Sequence, residues 1–215
     1  MVITAMVFSF TDLDLRTATA CWTPEPGLQD IDMQIDGEAI HIIVPVLSIF
    51  LVAGAFGFLS LSIPMARLRP YRIHAVFFLL VLAVGPGLFV NTLMKPVFGR
   101  PRPYQVQQFG GPFKYQPALK VSHESEGSAF ACGDSSVGYA LAAFYLIFLR
   151  KRKWLAWGSL GFATLLGSGI GCARMVIGRH FLSDVLWSAW VVFLVALVLY
   201  YFVMNIPARE QDRQS

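Results

Sequence analysis

Acidic residues are missing from the long middle of this 215-residue chain: none occurs from Ala39 through His123. Only 14% of all residues are charged, whereas 56% are hydrophobic, and the mean hydropathy is +0.59. This balance excludes an ordinary soluble domain and a disordered chain, and it favours a membrane protein. The net charge of +4 could indicate a nucleic-acid binder, but Lys and Arg occur in short clusters beside apolar runs. We therefore expect a single membrane-embedded domain, residues 1–215, with no nucleic-acid partner.

Cysteine is also scarce. Cys21, Cys132 and Cys172 have no metal-binding spacing and form no even disulfide framework. One pair could bridge on an oxidising face, but unpaired packing residues are favoured. The opening MVITAMVFSF lacks the basic region and cleavage site of a signal peptide, and it is too short to span a bilayer. Acids are concentrated before residue 39, which indicates a solvated acidic segment; they are Asp12, Asp14, Glu25, Asp30, Asp32, Asp36 and Glu38.

Apolar runs approach the roughly 20 residues that a membrane-spanning helix requires. The third reaches that length only if it begins near Ala129, which would place ACGDSS in its first turn. The sequence therefore predicts an all-α, polytopic helical bundle with five full spans and a possible truncated sixth at the N-terminus. The runs are Ile40–Pro64, Ile73–Met94, Ser135–Leu149, Trp154–Gly171 and Phe181–Met204.

Two basic connectors set the expected orientation. MARLRPYR separates the first two runs, and RKRK, residues 150–153, separates the third and fourth. Positively charged loops stay in the cytoplasm, so both connectors should lie inside. By alternation, residues 12–39, 95–126 and 172–180 should lie on the outer face.

Three polar clusters should meet on that outer face, although they are far apart in sequence. They are KPVFGRPRP from Lys95, the Gly133-Asp134 pair, and ARMVIGRHFLSD around Arg174. Ionisable residues at membrane helix ends are functional candidates by default. A small transporter would instead spread its polar residues along the middle of the spans.

These residue types suit phosphoryl transfer, which needs fixed positive charge around the oxygens of a phosphate. Lys95, Arg102 and Arg174 could supply that charge, because Arg matches two phosphate oxygens at once and Lys acts as a point charge. Gly133 at a helix start would add backbone N–H donors and permit close approach. Arg100 adjoins this cluster and is a further candidate for contact with a second phosphate or headgroup.

The pair His180 and Asp184 is four residues apart, which on a helical turn brings both to one face. Asp184 could accept from one ring nitrogen and leave the other free to attack phosphorus. The alternative is an interfacial histidine with a helix-capping aspartate. Arg174, six residues upstream, favours the catalytic interpretation. Arg179 is a second candidate for headgroup contact.

Three motifs together resemble the three-part signature of the type 2 phosphatidic acid phosphatase and vanadium haloperoxidase superfamily. They are Lys-x6-Arg-Pro, a Gly-Asp element and Arg-x5-His-x3-Asp. The resemblance covers Val84 to Trp190. It implies that Lys95, Arg102 and Arg174 hold phosphate, that His180 forms a phosphohistidine, and that Asp184 orients it, with no metal and no cofactor. A metal-independent phosphoric monoester hydrolase is expected.

Two departures from the signature bear on activity. Ala131-Cys132-Gly133-Asp134 stands where the family usually has Pro-Ser-Gly-His, and Ala173 stands where it has Ser. Asp134 would then have to protonate the leaving oxygen, or it would only position a neighbour. The third possibility is a member that binds a phospholipid headgroup without cleaving it.

The stretches GPGLFVNTLMKPVFGRPRP, FACGDSSVGY and ARMVIGRHFLSDV, with an early DLDL, resemble the lipid A 4′-phosphatase branch. The resemblance implies a phosphorylated lipid substrate, lipid A ahead of undecaprenyl pyrophosphate or phosphatidylglycerol phosphate. It also implies a multi-pass protein of the bacterial inner membrane with its site facing the periplasm. Membrane lipids are expected neighbours, and no obligatory protein partner is evident.

Overall fold

The chain folds into helices joined by loops. The computed structural model describes residues 1–21, 31–121 and 127–212, and in these ranges the only β-pairing is an isolated bridge between Val106 and Phe113. The predicted all-helical class is confirmed. The α-helices are α1 (Val2–Phe10), α2 (Leu13–Cys21), α3 (Ile31–Leu61), α4 (Arg72–Leu82), α5 (Lys95–Phe98), α6 (Gly133–Ala140), α7 (Ala143–Leu149), α8 (Lys153–Val176), α9 (Leu182–Val198) and α10 (Ile206–Gln211).

Four helical stretches among the described residues are long and apolar enough to cross a membrane. Their surfaces are apolar as well: the stretch in α3 has a mean hydropathy of 2.6, yet only 6% of it is buried inside the protein. Such a surface is stable in lipid and not in water. The chain is therefore a membrane protein. The stretches are Ile42–Leu61, Ala66–Gln105, Lys153–Val176 and Leu182–Val203.

The third apolar run is shorter than the prediction required. Helix begins at Gly133 and not near Ala129, and a turn divides the run into α6 and α7, so that Gly133–Leu149 falls below spanning length. Before Gly133, backbone N–H groups donate to carbonyls far away in the sequence and not to a preceding helical turn. Ala129 N–H donates to the Arg100 carbonyl at 3.0 Å, and Cys132 N–H donates to the Asp184 carbonyl at 3.1 Å. These bonds bring the start of α6 to the polar clusters.

The segment after α4 winds more widely than an α-helix. Ala83–Met94 is π-helical and contains Pro86, which has no N–H to donate. Two side chains bond to carbonyls five residues back: Asn91 Nδ2 to Pro86 at 2.8 Å and Thr92 Oγ1 to Gly87 at 3.0 Å. The wider turns end at Lys95 and set the direction in which its side chain leaves the helix.

Small residues let α6 sit in the centre of the bundle. An added Cβ on Gly138 would lie 2.7 Å from the Gly167 Cα, and one on Gly171 would overlap Val185. Close backbone approach through glycine is a common way for membrane helices to pack. It brings the N-terminus of α6 against the C-terminus of α8 and the start of α9.

The two ends of the bundle differ in chemistry. At one end the basic connectors meet: Lys151 Nζ lies 5.7 Å from the Tyr71 ring centre and 2.7 Å from a Glu210 carboxylate oxygen in α10. At the other end lie the starts of α6 and α9, with the loop after α5. The predicted polar clusters all fall at this second end.

The sequence indicated a solvated acidic segment at the N-terminus. For Asp14 this prediction is wrong. Asp14 in α2 is completely buried, because it meets Arg100 and the first turn of α9. The nine residues of α1 rise only about 13.5 Å, too little to cross a bilayer. The acids from Glu25 to Glu38 lie outside the residues whose side chains the structure describes.

Candidate active site

Lys95 is held at the end of the π-helical segment. Its Nζ donates to Asn91 Oδ1 at 2.6 Å, and Asn91 is itself anchored to the Pro86 carbonyl. Gly133, the first residue of α6, faces this pair: an added Cβ would overlap the Asn91 amide and lie 3.1 Å from Lys95 Nζ. Glycine is therefore required for the ammonium and the helix N-terminus to stand side by side. Asn91 was not predicted as a site residue, since an asparagine within an apolar run has no distinctive spacing.

Arg102 enters the site from the loop after α5. Its Nη2 donates to Ser128 Oγ at 3.1 Å, and its backbone N–H donates to Gln105 Oε1 at 3.0 Å. Arg179 lies with its guanidinium 5.2 Å from the Tyr104 ring centre, a cation–π contact. Arg102 and Arg179 are close enough to interact electrostatically. Arg179 thus borders the predicted cluster, and its contact with a headgroup stays a prediction.

Asp134 and Arg174 form an ion pair between the start of α6 and the end of α8. Arg174 Nε lies 2.6 Å from Asp134 Oδ2; the arginine side chain is 2% exposed and the aspartate side chain 27%. A carboxylate in the first turn of a helix is also favoured by the helix dipole. Asp134 therefore stands at the open side of the site, touching one of the predicted phosphate-binding cations.

His180 lies in the short connection between α8 and α9. The expectation that it shares a helical face with Asp184 is wrong, because α9 begins only at Leu182. The two residues nevertheless meet, since Asp184 folds back over the helix start and accepts the Phe181 N–H at 2.8 Å. Nδ1 of the ring lies 2.8 Å from the Ala129 carbonyl and 3.5 Å from Asp184 Oδ2. A carbonyl only accepts, so Nδ1 carries a proton, and in the neutral ring Nε2 keeps its lone pair.

Burial of the His180 ring works against its charged form, but the Cys132 sulfur and Asp184 beside it outweigh that effect. Together they raise the pKa of His180 to about 9. Cys132 is buried against the ring, and Cys21, Cys132 and Cys172 are all unpaired. The surroundings of His180 thus favour a positively charged ring, which also forms when a neutral imidazole attacks an electrophile through Nε2.

Arg100 does not face the cluster as a phosphate contact. It is 1% exposed, and its guanidinium lies 2.5 Å from Asp184 Oδ1 and 2.8 Å from Asp14 Oδ2. Two carboxylates balance the charge of the buried guanidinium. The prediction that Arg100 contacts a phosphate or headgroup is therefore wrong. Asp14 was not predicted as a site residue, because no spacing links residue 14 to residues 100 and 184.

The arrangement joins a cationic cluster to a histidine ring. Lys95, Arg102 and Arg174 are close enough to interact electrostatically with one another and with Asp134, and Arg179 with Arg102. His180 lies against Cys132, the residue before α6. Such an arrangement suits a multiply charged anion. Within the described ranges, no group of three or more His, Cys, Asp or Glu side chains could hold a metal ion.

Comparison with known proteins agrees with this geometry. The model of the PAP2 superfamily matches residues 74–207. A protein named lipid A 4′-phosphatase from Francisella tularensis subsp. novicida is 41% identical over 144 residues, which are 66% of this chain and 63% of that protein. Proteins of the same name from Rhizobium leguminosarum and Rhizobium etli are each 30% identical over 135 residues, 62% of this chain and 55% and 50% of theirs.

The chain thus spans less than two thirds of the length of these curated relatives. No solved structure matches it. The family match covers more than half of the chain and includes Lys95, Arg102, Asp134, Arg174, His180 and Asp184. The resemblance read from the three motifs is confirmed: this chain belongs to the PAP2 superfamily.

Proposed function

We propose that this chain is an integral-membrane phosphatase that hydrolyses a phosphate monoester of a lipid, the 4′-phosphate of lipid A, through a phosphohistidine. The observation that carries the proposal is the ion pair of Asp134 with Arg174 beside His180, whose Nδ1 is held by the Ala129 carbonyl, so that Nε2 of the neutral ring is the atom that attacks. The names of the relatives support the choice of substrate, since all three are called lipid A 4′-phosphatases. No metal or other cofactor is part of the proposed reaction.

In the first step, His180 Nε2 forms a bond to phosphorus while the bond from phosphorus to the sugar oxygen breaks. Lys95, Arg102 and Arg174 bind the phosphoryl oxygens, and the N–H groups at Gly133 add donors from the helix start. Asp134 donates a proton to the departing alkoxide, a poor leaving group that needs one. The Nδ1 proton of His180 stays in place, held by the Ala129 carbonyl and Asp184.

In the second step, Asp134 takes a proton from a water molecule, and the water oxygen attacks phosphorus. The bond from phosphorus to Nε2 breaks, inorganic phosphate leaves, and the neutral ring is restored. One water is consumed and one phosphate is released per cycle. Asp134 thereby recovers the proton that it donated in the first step, and it releases this proton when it pairs with Arg174 again.

The proposal includes the placement of the protein. Residues 1–215 form a single domain with motif core 84–190; α6 and α7 together make the third of five spans, and α1 stands as a truncated sixth. The basic connectors meet at one end of the bundle, as Lys151 beside Tyr71 illustrates, and the positive-inside rule favours the cytoplasm for that end. The site at the opposite end then faces the periplasm across the bacterial inner membrane, where a lipid A headgroup is accessible.

The test is phosphate release by the purified, detergent-solubilised protein from a panel of lipid A, undecaprenyl pyrophosphate and phosphatidylglycerol phosphate. We expect release from lipid A, at least about a hundredfold slower after His180→Ala, because the covalent route is lost. Arg174→Gln should act similarly, whereas Arg67→Gln, an exposed cation of the opposite end, should change nothing. EDTA should not affect the rate.

If another lipid in the panel is hydrolysed faster, lipid A is not the preferred substrate, but the proposed mechanism stands. Binding of lipid A without phosphate release would identify a non-catalytic headgroup-binding member. Full activity of the His180→Ala variant would refute the phosphohistidine.

A further inference from the structure

A buried polar cluster lies directly behind the proposed nucleophile. Its members, Asp14, Arg100, Ser183 and Asp184, are each at most 1% exposed. They come from α2, the loop after α5 and the first turn of α9, and Asp14 stands outside the family-matched residues 74–207. Nothing in the proposed mechanism uses Asp14 or Arg100.

Four hydrogen bonds hold the Asp14 carboxylate. One carboxylate oxygen accepts the Ser183 N–H at 2.9 Å, and the other accepts the Ser183 hydroxyl at 2.5 Å and Arg100 Nη2 at 2.8 Å. Tyr115 OH donates to the same oxygen at 3.3 Å. A buried carboxylate with this many donors has one position and one orientation.

Arg100 links the fixed Asp14 carboxylate to Asp184 through hydrogen bonds. Its Nη1 donates to Asp184 Oδ1 at 2.5 Å and to Ser183 Oγ at 2.7 Å, and its Nε donates to the Gln116 carbonyl at 2.9 Å. The guanidinium also stacks over the Phe181 ring, 4.4 Å from its centre. The second oxygen of Asp184 is thereby turned toward the Phe181 N–H and the Nδ1 of His180. An unbroken chain of contacts links Asp14 to the nucleophile.

The charges along this chain do not cancel. Arg100 carries one positive charge, and Asp14 and Asp184 carry two negative charges, which leaves an excess of one negative charge beside the imidazole. Burying such an excess is unfavourable unless a positive charge compensates for it. When Nε2 of a neutral His180 bonds to phosphorus, the ring becomes positive and supplies that charge. The cluster is therefore better matched to a positive ring, protonated or phosphorylated, than to a neutral one.

We propose that Asp14 is a positioning residue of the active site: through Arg100 and Ser183 it fixes Asp184 against His180 and provides the negative charge that balances the imidazolium formed on attack. The proposal rests on the proposed function for its kinetic consequences, but not for its structural ones. Its basis is the continuous set of buried contacts from Asp14 to His180.

The groups that face His180 decide how its titration responds. Asp184 lies on the Nδ1 side, the Cys132 sulfur lies against the ring, and Arg100 and Asp14 stand behind Asp184. Removing the charge of Asp14 leaves Arg100 and Asp184 as a neutral pair. The pKa of His180 should then fall, and its nucleophilicity should fall with its basicity.

The kinetic test compares Asp14→Asn with Asp12→Asn, an exposed acid two residues away in the same segment. The substrate is p-nitrophenyl phosphate, whose leaving group needs no general acid, so His180 alone sets the rise of kcat/KM with pH. For Asp14→Asn we expect the plateau to drop about tenfold and the midpoint of the rise to move down by about one pH unit, with KM little changed. Asp12→Asn should match the unmodified protein. A lower plateau with an unmoved midpoint would show that Asp14 merely stabilises the fold and would overturn the proposal.

A second measurement needs no turnover. The titration of His180 is followed by NMR on protein with 13C-labelled histidine, with the His180 resonance assigned by its loss in His180→Gln. We expect the wild-type ring to titrate well above the ordinary 6.5 and the Asp14→Asn ring to titrate lower. A wild-type midpoint at 6.5 in the folded protein would overturn the proposal even if Asp14→Asn failed to fold.

The two measurements also separate this inference from the proposed function. If no lipid or ester is hydrolysed but the Asp14→Asn titration shifts, the function fails and the role of Asp14 stands. If the protein hydrolyses lipid A and Asp14→Asn changes neither the titration nor the kinetics, the function stands and the role of Asp14 fails.

Discussion

Replacing Gly133 with alanine should damage the phosphate site without removing any functional group. The new Cβ would overlap the Asn91 amide oxygen and lie 3.1 Å from both Asn91 Cγ and Lys95 Nζ. Ordinary contact at about 3.5 Å requires the Asn91 amide to move by roughly 1 Å. Lys95 must follow, because its Nζ is bonded to that amide at 2.6 Å. A misplacement of about 1 Å can reduce turnover about a hundredfold.

We therefore expect kcat/KM for phosphate release from lipid A to fall about 10- to 100-fold in Gly133→Ala, equivalent to about 1.4–2.7 kcal/mol of transition-state stabilisation. The matched control is Gly161→Ala in α8, where an added Cβ meets nothing within 4 Å. It should retain full activity and gain slightly in thermal stability, since alanine is the better helix former. Thermal unfolding in detergent establishes that both variants are folded. Unchanged kinetics in a folded Gly133→Ala protein would refute the placement of Lys95 against the helix start.

Three further outcomes are expected. Asp134→Asn should lower kcat/KM for lipid A about a hundredfold but spare kcat/KM for p-nitrophenyl phosphate, because this constant reports the first step, in which only the sugar alkoxide needs a proton; equal losses would make Asp134 a positioning group. With p-nitrophenyl phosphate, kcat/KM should rise about tenfold per pH unit and level off above about pH 9, because His180 attacks only when neutral and its pKa is raised to about 9; a plateau already reached at pH 7 would contradict this. Arg179→Gln should raise KM for lipid A and leave p-nitrophenyl phosphate unaffected if Arg179 contacts the larger headgroup; a matching change on both would place it at the phosphate itself.

The sequence predicted the parts of this molecule that depend on local pattern. Apart from the first, the apolar runs coincide with helical stretches within about five residues, whereas α3 begins nine residues before its run. Apolar length alone marks helices in lipid. The start of α6 was misplaced because the backbone of Ala129 and Cys132 bonds to Arg100 and Asp184, residues that no local rule connects to them.

The site divides in the same way. Alternation of helices brought the three motifs to one end, because topology needs only the order and length of the spans. The supports behind the motifs were not predictable: Asn91 is an ordinary amide in an apolar run, and Asp14 meets Ser183 across 169 positions of sequence. The role of Arg100 was misjudged for a related reason. The sequence does not distinguish an arginine that faces the phosphate from one that is buried behind the motif.

The ion pair between Asp134 and Arg174 has a consequence for the end of the catalytic cycle. The Asp134 carboxylate is paired with Arg174, one of the proposed phosphate-binding cations. An incoming phosphate must displace it, so the free energy of binding is the difference between two ion pairs and not the full strength of one. After hydrolysis the same competition runs in reverse: Asp134 loses the proton it took from water, and its carboxylate returns to Arg174 and helps to expel inorganic phosphate. Under the proposed function, a strongly cationic site can in this way turn over without being blocked by its own product.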